Sequence, residues 1–131
     1  MRIKLNSVMV DDQDKALKFH TEMLGFIKSQ EIPIGEFKWL TVVSPEGGDA
    51  ELSLEPNANP AAKTFQEALF TQGIPLAAIE VDNIEAEFQR LGSRGVVFTM
   101  KPAKAGVVTY AVFADTCGNL IQIYQPDRGQ V

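Results

Sequence analysis

At 131 residues and 14.4 kDa, with 45% hydrophobic and 22% charged residues, the chain has the makings of an ordinary globular fold rather than a disordered segment. Its net charge of −5 argues against nucleic acid as a partner, since neutralising phosphates takes clustered Lys and Arg. One cysteine, Cys117, excludes an internal disulfide; one histidine, His20, excludes a site built from several imidazoles; and no apolar run approaches the roughly 20 residues of a membrane span.

The N-terminal Met-Arg-Ile-Lys-Leu-Asn lacks the apolar stretch of a secretory signal, so the expected location is the cytoplasm. Ile3 to Val10 alternates and is rich in branched residues, which predicts a strand. Asp11 and Asp12 offer an N-cap to a helix carrying Ala16, Leu17, Phe19, His20, Met23 and Leu24, and Gly25 closes it. Strands are expected at Phe26 to Gln30, Glu36 to Val43 and Ala50 to Leu54, with Ser44-Pro45-Glu46-Gly47-Gly48 as the turn between the last two. Asn59 and Pro60 read as the N-cap and first residue of a helix within the linker 56–75, packed by an apolar stripe of Phe65, Leu69 and Phe70. A strand at Leu76 to Val81 follows, then an N-cap at Asp82 or Asn83 and a helix with Ile84, Phe88 and Leu91 on one face. Gly95 ends that helix, and strands near Val96 to Met100, Val107 to Ala114 and Leu120 to Tyr124 complete the series.

A shift of 71 residues superimposes the punctuation of the two halves: Asp11 on Asp82, Gly35 on Gly106, Trp39 on Tyr110, Val42 on Phe113 and Gly47 on Gly118. The expectation is an α+β fold of two pseudo-symmetric β-α-β-β-β modules, residues 1–55 and 76–131, whose paired curved sheets leave a central groove.

Three stretches carry a resemblance: Val10-Asp11-Asp12, Phe19-His20-Thr21-Glu22-Met23-Leu24-Gly25-Phe26, and Asp115-Thr116-Cys117-Gly118-Asn119-Leu120-Ile121-Gln122. In this order the chain resembles the vicinal oxygen chelate superfamily of glyoxalase I, bleomycin-resistance proteins and extradiol dioxygenases. His20 stands where that family usually has tyrosine, Thr116 where it has proline, and Gln122 where it has glutamate. The resemblance implies a homodimer, and a metal site with ligands from the first and last strand of each module. Those positions fall here on Leu5, Glu51, Leu76 and Gln122. Leucine has no donor atom, and one carboxylate with one amide would hold a hard cation weakly, so no metal and no cofactor are expected.

Glu51, a carboxylate inside an otherwise apolar strand, is the leading site residue and the candidate acid–base group. Gln122 repeats the pattern, and strand alternation sends Trp39 away from the face that Leu40 and Val42 cover. Tyr110 occupies the equivalent place in the second half. Glu80 shares the parity of Leu76 and Ala78. His20 is expected to pack rather than react, and Cys117 to be a turn residue with no base beside it. These residues suggest a protein that sequesters or transforms a small organic molecule in a groove lined by Trp39, Glu51, Tyr110, Gln122, Leu5 and Leu76. The alternatives are a metal-dependent lyase or isomerase with a reduced ligand set, and an interaction domain whose groove is filled by its own side chains.

Overall fold

The computed structural model describes residues 1–127; residues 128–131 of the expected second module lie outside them. The first half runs β1 (Leu5–Val10), α1 (Gln13–Lys18) continuing as a π-helical turn (Phe19–Met23), β2 (Ile27–Ile34), β3 (Phe37–Val43) and β4 (Glu51–Pro56). A connecting helix, α2 (Pro60–Gln72), leads to β5 (Ala77–Glu80), α3 (Ile84–Ser93), β6 (Phe98–Ala105), β7 (Val108–Ala114) and β8 (Leu120–Pro126). Each half forms a four-stranded sheet in the same order, β1-β4-β3-β2 and β5-β8-β7-β6, with the first and last strands of each half parallel and the rest antiparallel. The fold is thus α+β, built from two repeated modules.

Local chemistry sets the boundaries. The side chains of Asp12, Asn59 and Asn83 accept from the backbone N–H of Lys15, Ala61 and Ala86, capping the three helices. The hairpin glycines Gly35 and Gly106 have φ of 60° and 61°, and the turn glycines Gly47 and Gly118 have 95° and 97°, so the repeat extends to backbone conformation. β2 and β6 run past the expected ends at Gln30 and Met100, through Pro33 and Pro102. Both are edge strands, where a missing N–H costs no ladder bond.

The two cores exchange residues. Val8, Val10, Ala16, Leu40, Val42 and Leu54 form the first, and Cys117 from the second module is buried with them. Ile84, Leu91, Ala111, Phe113, Ile121 and Ile123 form the second around Phe19 from the first module. Arg90 on α3 and Arg94 at its C-cap donate to the backbone carbonyls of Leu24, Glu22 and Met23, satisfying the end of the first module's helix.

The expected packing of the linker helix needs correction. Phe65 and Phe70 are 56% and 47% exposed, and the buried residue of α2 is Gln66. Its Nε2 donates to the carbonyls of Met9 and Cys117 and to Asn119 Oδ1, each at 3.0 Å, while its Oε1 accepts from Asn57. The Met9 carbonyl also accepts from Asn119 Nδ2 at 2.7 Å and the Cys117 carbonyl from the Asp11 backbone N–H at 3.3 Å, so Gln66 joins a shared network in which its amide both donates and accepts. Asp115 completes this latch by accepting from the backbone N–H of Cys117 and Asn119. The Asp-Thr-Cys-Gly-Asn turn therefore ties the halves together.

Candidate functional site

Each sheet turns one face to helices and leaves the other open. On the first sheet, Leu40, Val42 and Leu54 face the core, while Trp39, Thr41 and Glu51 take the opposite parity. Thr41 Oγ1 donates to Glu51 Oε1 at 2.8 Å, and Gln30 Nε2 donates to the same oxygen at 3.2 Å. Gln30 Oε1 accepts from Trp39 Nε1 at 3.2 Å, so the indole and the carboxylate fix the orientation of one amide between them. The hydroxyl of Thr41, then the Gln30 amide, hold the Glu51 carboxyl below its ordinary range, against a smaller opposing effect of desolvation. Around this polar line stand exposed apolar side chains, including Leu5, Ile32, Ile34 and Phe37.

Gln30 could not be found by counting. A β-bulge between Lys28 and Gln30 shifts the register of β2 against β3 and places Gln30 opposite Thr41. The visible signal was only a polar residue at the end of an expected strand.

The second sheet repeats the backbone and changes the surface. Tyr110 stands opposite Tyr124, and Gln122 lies between Val112 and Ala78 on the neighbouring strands. Tyr110, Gln122 and Tyr124 are partly buried, and Glu80 at the far end of β5 is exposed. Leu5 pairs with Glu51 as the repeat requires. Leu76 does not pair with Gln122, which is a correction: β5 begins at Ala77, Gln122 faces Ala78, and Leu76 packs against the first core. The parallel ladder of the second module is offset by two residues from that of the first.

A cleft of about 450 Å³ opens where the two modules meet. Its wall includes Glu51 and Leu76 but not Trp39, Tyr110, Gln122 or Leu5, which belong to the open faces. His20 is buried in this wall, its ring stacked on Phe26 and set edge-on to Phe19. Cys117 is also buried; desolvation and the neighbouring Asp115 and Asp11 push its thiol up to about 12, so it is no nucleophile at neutral pH.

The ligand positions implied for a divalent metal do not make a donor set. Leu5 and Leu76 offer hydrocarbon, Gln122 is on another sheet from Glu51, and Glu51 Oε1 already accepts two hydrogen bonds. Among the described residues, no group of three or more His, Cys, Asp or Glu side chains is placed to hold an ion. No helix among them is long and apolar enough to cross a membrane.

Comparison with known proteins gives a consistent result. Residues 2–123 match the family model of the Glyoxalase/Bleomycin resistance protein/Dioxygenase superfamily. YurT of Bacillus subtilis (strain 168) is 53% identical over 126 residues, covering 95% of this chain and 99% of that protein. The crystal structure of UcmS2 is similar with a TM-score of 0.82 and 32% identity, covering 95% of this chain and 97% of its own. TnmS3, an antibiotic binding protein from Streptomyces sp. CB03234, has a TM-score of 0.77 and 31% identity, with 96% of each chain covered.

Proposed function

Because the chain belongs to the Glyoxalase/Bleomycin resistance protein/Dioxygenase superfamily, we propose that it binds a small organic molecule on the open sheet faces without a metal, sequestering it rather than transforming it. The observation that carries this reading is the prearranged line Trp39–Gln30–Glu51–Thr41, set among exposed apolar side chains. Apolar surface with a few fixed polar groups is the usual composition of a small-molecule site. The similarity to an antibiotic binding protein points the same way.

Sequestration is favoured over catalysis by the state of Glu51. A general base works best with a pKa near the operating pH, and this carboxylate is held in the opposite direction. Its role is to accept a hydrogen bond from the ligand, with Trp39 as the flat wall. The second sheet supplies a complementary aromatic face through Tyr110 and Gln122. In this reading two copies associate so that the first sheet of one meets the second sheet of the other, and Leu5 contributes apolar area beside Glu51 while Leu76 seats the strand that carries the second face.

A thermal-shift screen of metabolites and antibiotics tests the reading, since a ligand at about 100 times its Kd stabilises by about 2.7 kcal/mol. Hits should disappear in Trp39→Ala and weaken in Glu51→Gln, with both variants folded. Hits indifferent to both substitutions would defeat it. Sedimentation should show a dimer, and metal analysis of protein purified without chelator should find no stoichiometric nickel, zinc or manganese; finding one would restore the metal-dependent lyase.

A further inference from the structure

The cleft at the meeting of the modules contains a group that packing alone does not require. His20 sits on the π-helical turn, where the helix widens and Leu24 N–H reaches back to the carbonyl of Phe19. Beside this change of pitch, side chains take up backbone carbonyls: Thr21 Oγ1 donates to Leu17 and His20 Nδ1 bonds Ala16, both at 2.8 Å. A carbonyl oxygen only accepts, so Nδ1 carries the proton. Burial pushes the ring below its ordinary pKa, opposed by the Ala16 carbonyl and by Asp115. The ring is therefore neutral at neutral pH, and Nε2 is a bare acceptor.

Every buried side-chain nitrogen and oxygen among the described residues has a partner or reaches solvent. The bond the structure gives this ring is at Nδ1, which leaves Nε2 as its edge on the cleft. A phenyl ring would fill the space between Phe19 and Phe26 but would lose the bond to Ala16; the imidazole adds one acceptor near Phe26, Leu52, Leu76 and Ile79, in a lining whose polar side is Asn6, Ser7, Ser44 and Glu51. The volume, about 450 Å³, lies within the range of small-molecule pockets.

We propose that this cleft is a second binding site, for a compact apolar or aromatic molecule bearing a hydroxyl, whose O–H donates to His20 Nε2 while its ring lies against Phe26, Leu52, Leu76 and Ile79. The site is distinct from that of the open-face reading: the two share Glu51, which lies at the cleft's polar side with Asn6 and Ser7, and Leu76, which in the open-face reading only seats its strand.

The chain provides its own reporters, because it holds one histidine and one tryptophan. Long-range proton–nitrogen NMR of the free protein should show His20 protonated at Nδ1 with a pyridine-like Nε2. Added 2-naphthol should move the Nε2 resonance and leave the Trp39 indole N–H in place. 2-Methoxynaphthalene, of similar shape but without the donor, should not move it. His20→Phe should weaken 2-naphthol about tenfold, the worth of one neutral hydrogen bond, and leave 2-methoxynaphthalene unchanged. An Nε2-protonated ring in the free protein, or 2-naphthol that moves Trp39 and not His20, overturns the proposal, and both readings come from the unmutated chain. Equal binding of the two naphthalenes by the wild type also overturns it.

Discussion

The two sheets have the same strand order and the same mixture of parallel and antiparallel pairs, yet they differ almost wholly on one side. Facing the helices, Val8 corresponds to Ile79, Leu40 to Ala111, Val42 to Phe113, Leu52 to Ile121 and Leu54 to Ile123, all apolar. On the opposite side, strand pairing sets Thr41 in correspondence with Val112, Ser53 with Gln122 and Glu55 with Tyr124, while the place of Glu51 falls on Leu120. Burial against helices holds the first set to hydrocarbon, because an unpaired polar group there costs on the order of 1–3 kcal/mol. The opposite side carries polar groups as well, and buried Thr41 is among them because its hydroxyl is paired with Glu51. A hydrogen-bonded carboxylate has been built on one copy and an aromatic surface on the other, without altering the shared backbone.

The sharpest contrast lies in the turns. Gly47 and Gly118 have nearly the same φ, but a Cβ on Gly47 would meet nothing within 4 Å, whereas on Gly118 it would come within 2.8 Å of Gln66 Nε2. Gly47→Ala should cost about 1 kcal/mol for the left-handed backbone alone. Gly118→Ala should cost about 3 kcal/mol, because the displaced amide also abandons the carbonyls of Met9 and Cys117. Urea denaturation of the two variants measures the difference. Equal losses would mean that the Gln66 latch adds nothing to stability.

Exchanging open-face residues between the modules should have a smaller effect. Val112 is buried, and Val112→Thr places a hydroxyl where valine packs opposite Met100 and Gln122, at a cost of about 1–2 kcal/mol. Thr41→Val removes the leading donor to Glu51 and should raise that carboxyl toward its ordinary range, as followed by carbon NMR titration of the side chain. A carboxyl unmoved in Thr41→Val would separate the hydroxyl from the network.

Acid should weaken the first sheet's open face and spare the second, because Gln122 does not titrate. A carboxyl with a folded pKa below its unfolded value stabilises above the unfolded value, about 4.3 for glutamate, and loses that contribution as pH falls through the folded one. Wild type should therefore lose stability relative to Glu51→Gln as pH drops from about 5 toward the folded pKa. Glu31, pulled down to about 2 by Lys28 and then Lys38, responds in the same direction in both proteins and cancels in the comparison. Parallel pH profiles for the two would show that Glu51 is not held in the folded state.

The parts of this molecule legible in its sequence are those determined locally. Caps at Asp12 and Asn59, the glycines at hairpins and turns, and the parity of Trp39 against Leu40 all depend on neighbours within a few residues. What escaped depends on distant partners. The apolar stripe on α2 suggested burial, but the carbonyls to which the buried Gln66 amide donates belong to Met9 and Cys117, far away in the chain. The place of Leu76 turned on the register of a parallel ladder, which no turn sets. Gln30 was hidden by one extra residue in β2, since a bulge reverses the parity on which strand reading rests. The family motif around Asp115 and Asn119 was visible, while its work as a latch was not.

The mildest prediction concerns the far end of the polar line. Trp39 reaches Glu51 only through Gln30, so Trp39→Phe leaves both bonds to the carboxylate in place and frees one side of the amide. Water can replace the indole N–H at this partly buried position, and stability should change by less than about 1 kcal/mol. The carboxyl should rise slightly in titration, by less than in Thr41→Val, because Gln30 can then rotate and its donation becomes intermittent. Tyr110→Phe, the matching change on the second sheet, should leave the Glu51 titration where it was. A rise in Trp39→Phe equal to that in Thr41→Val would mean the line responds as one unit. No rise at all would mean that the indole merely lies beside the amide.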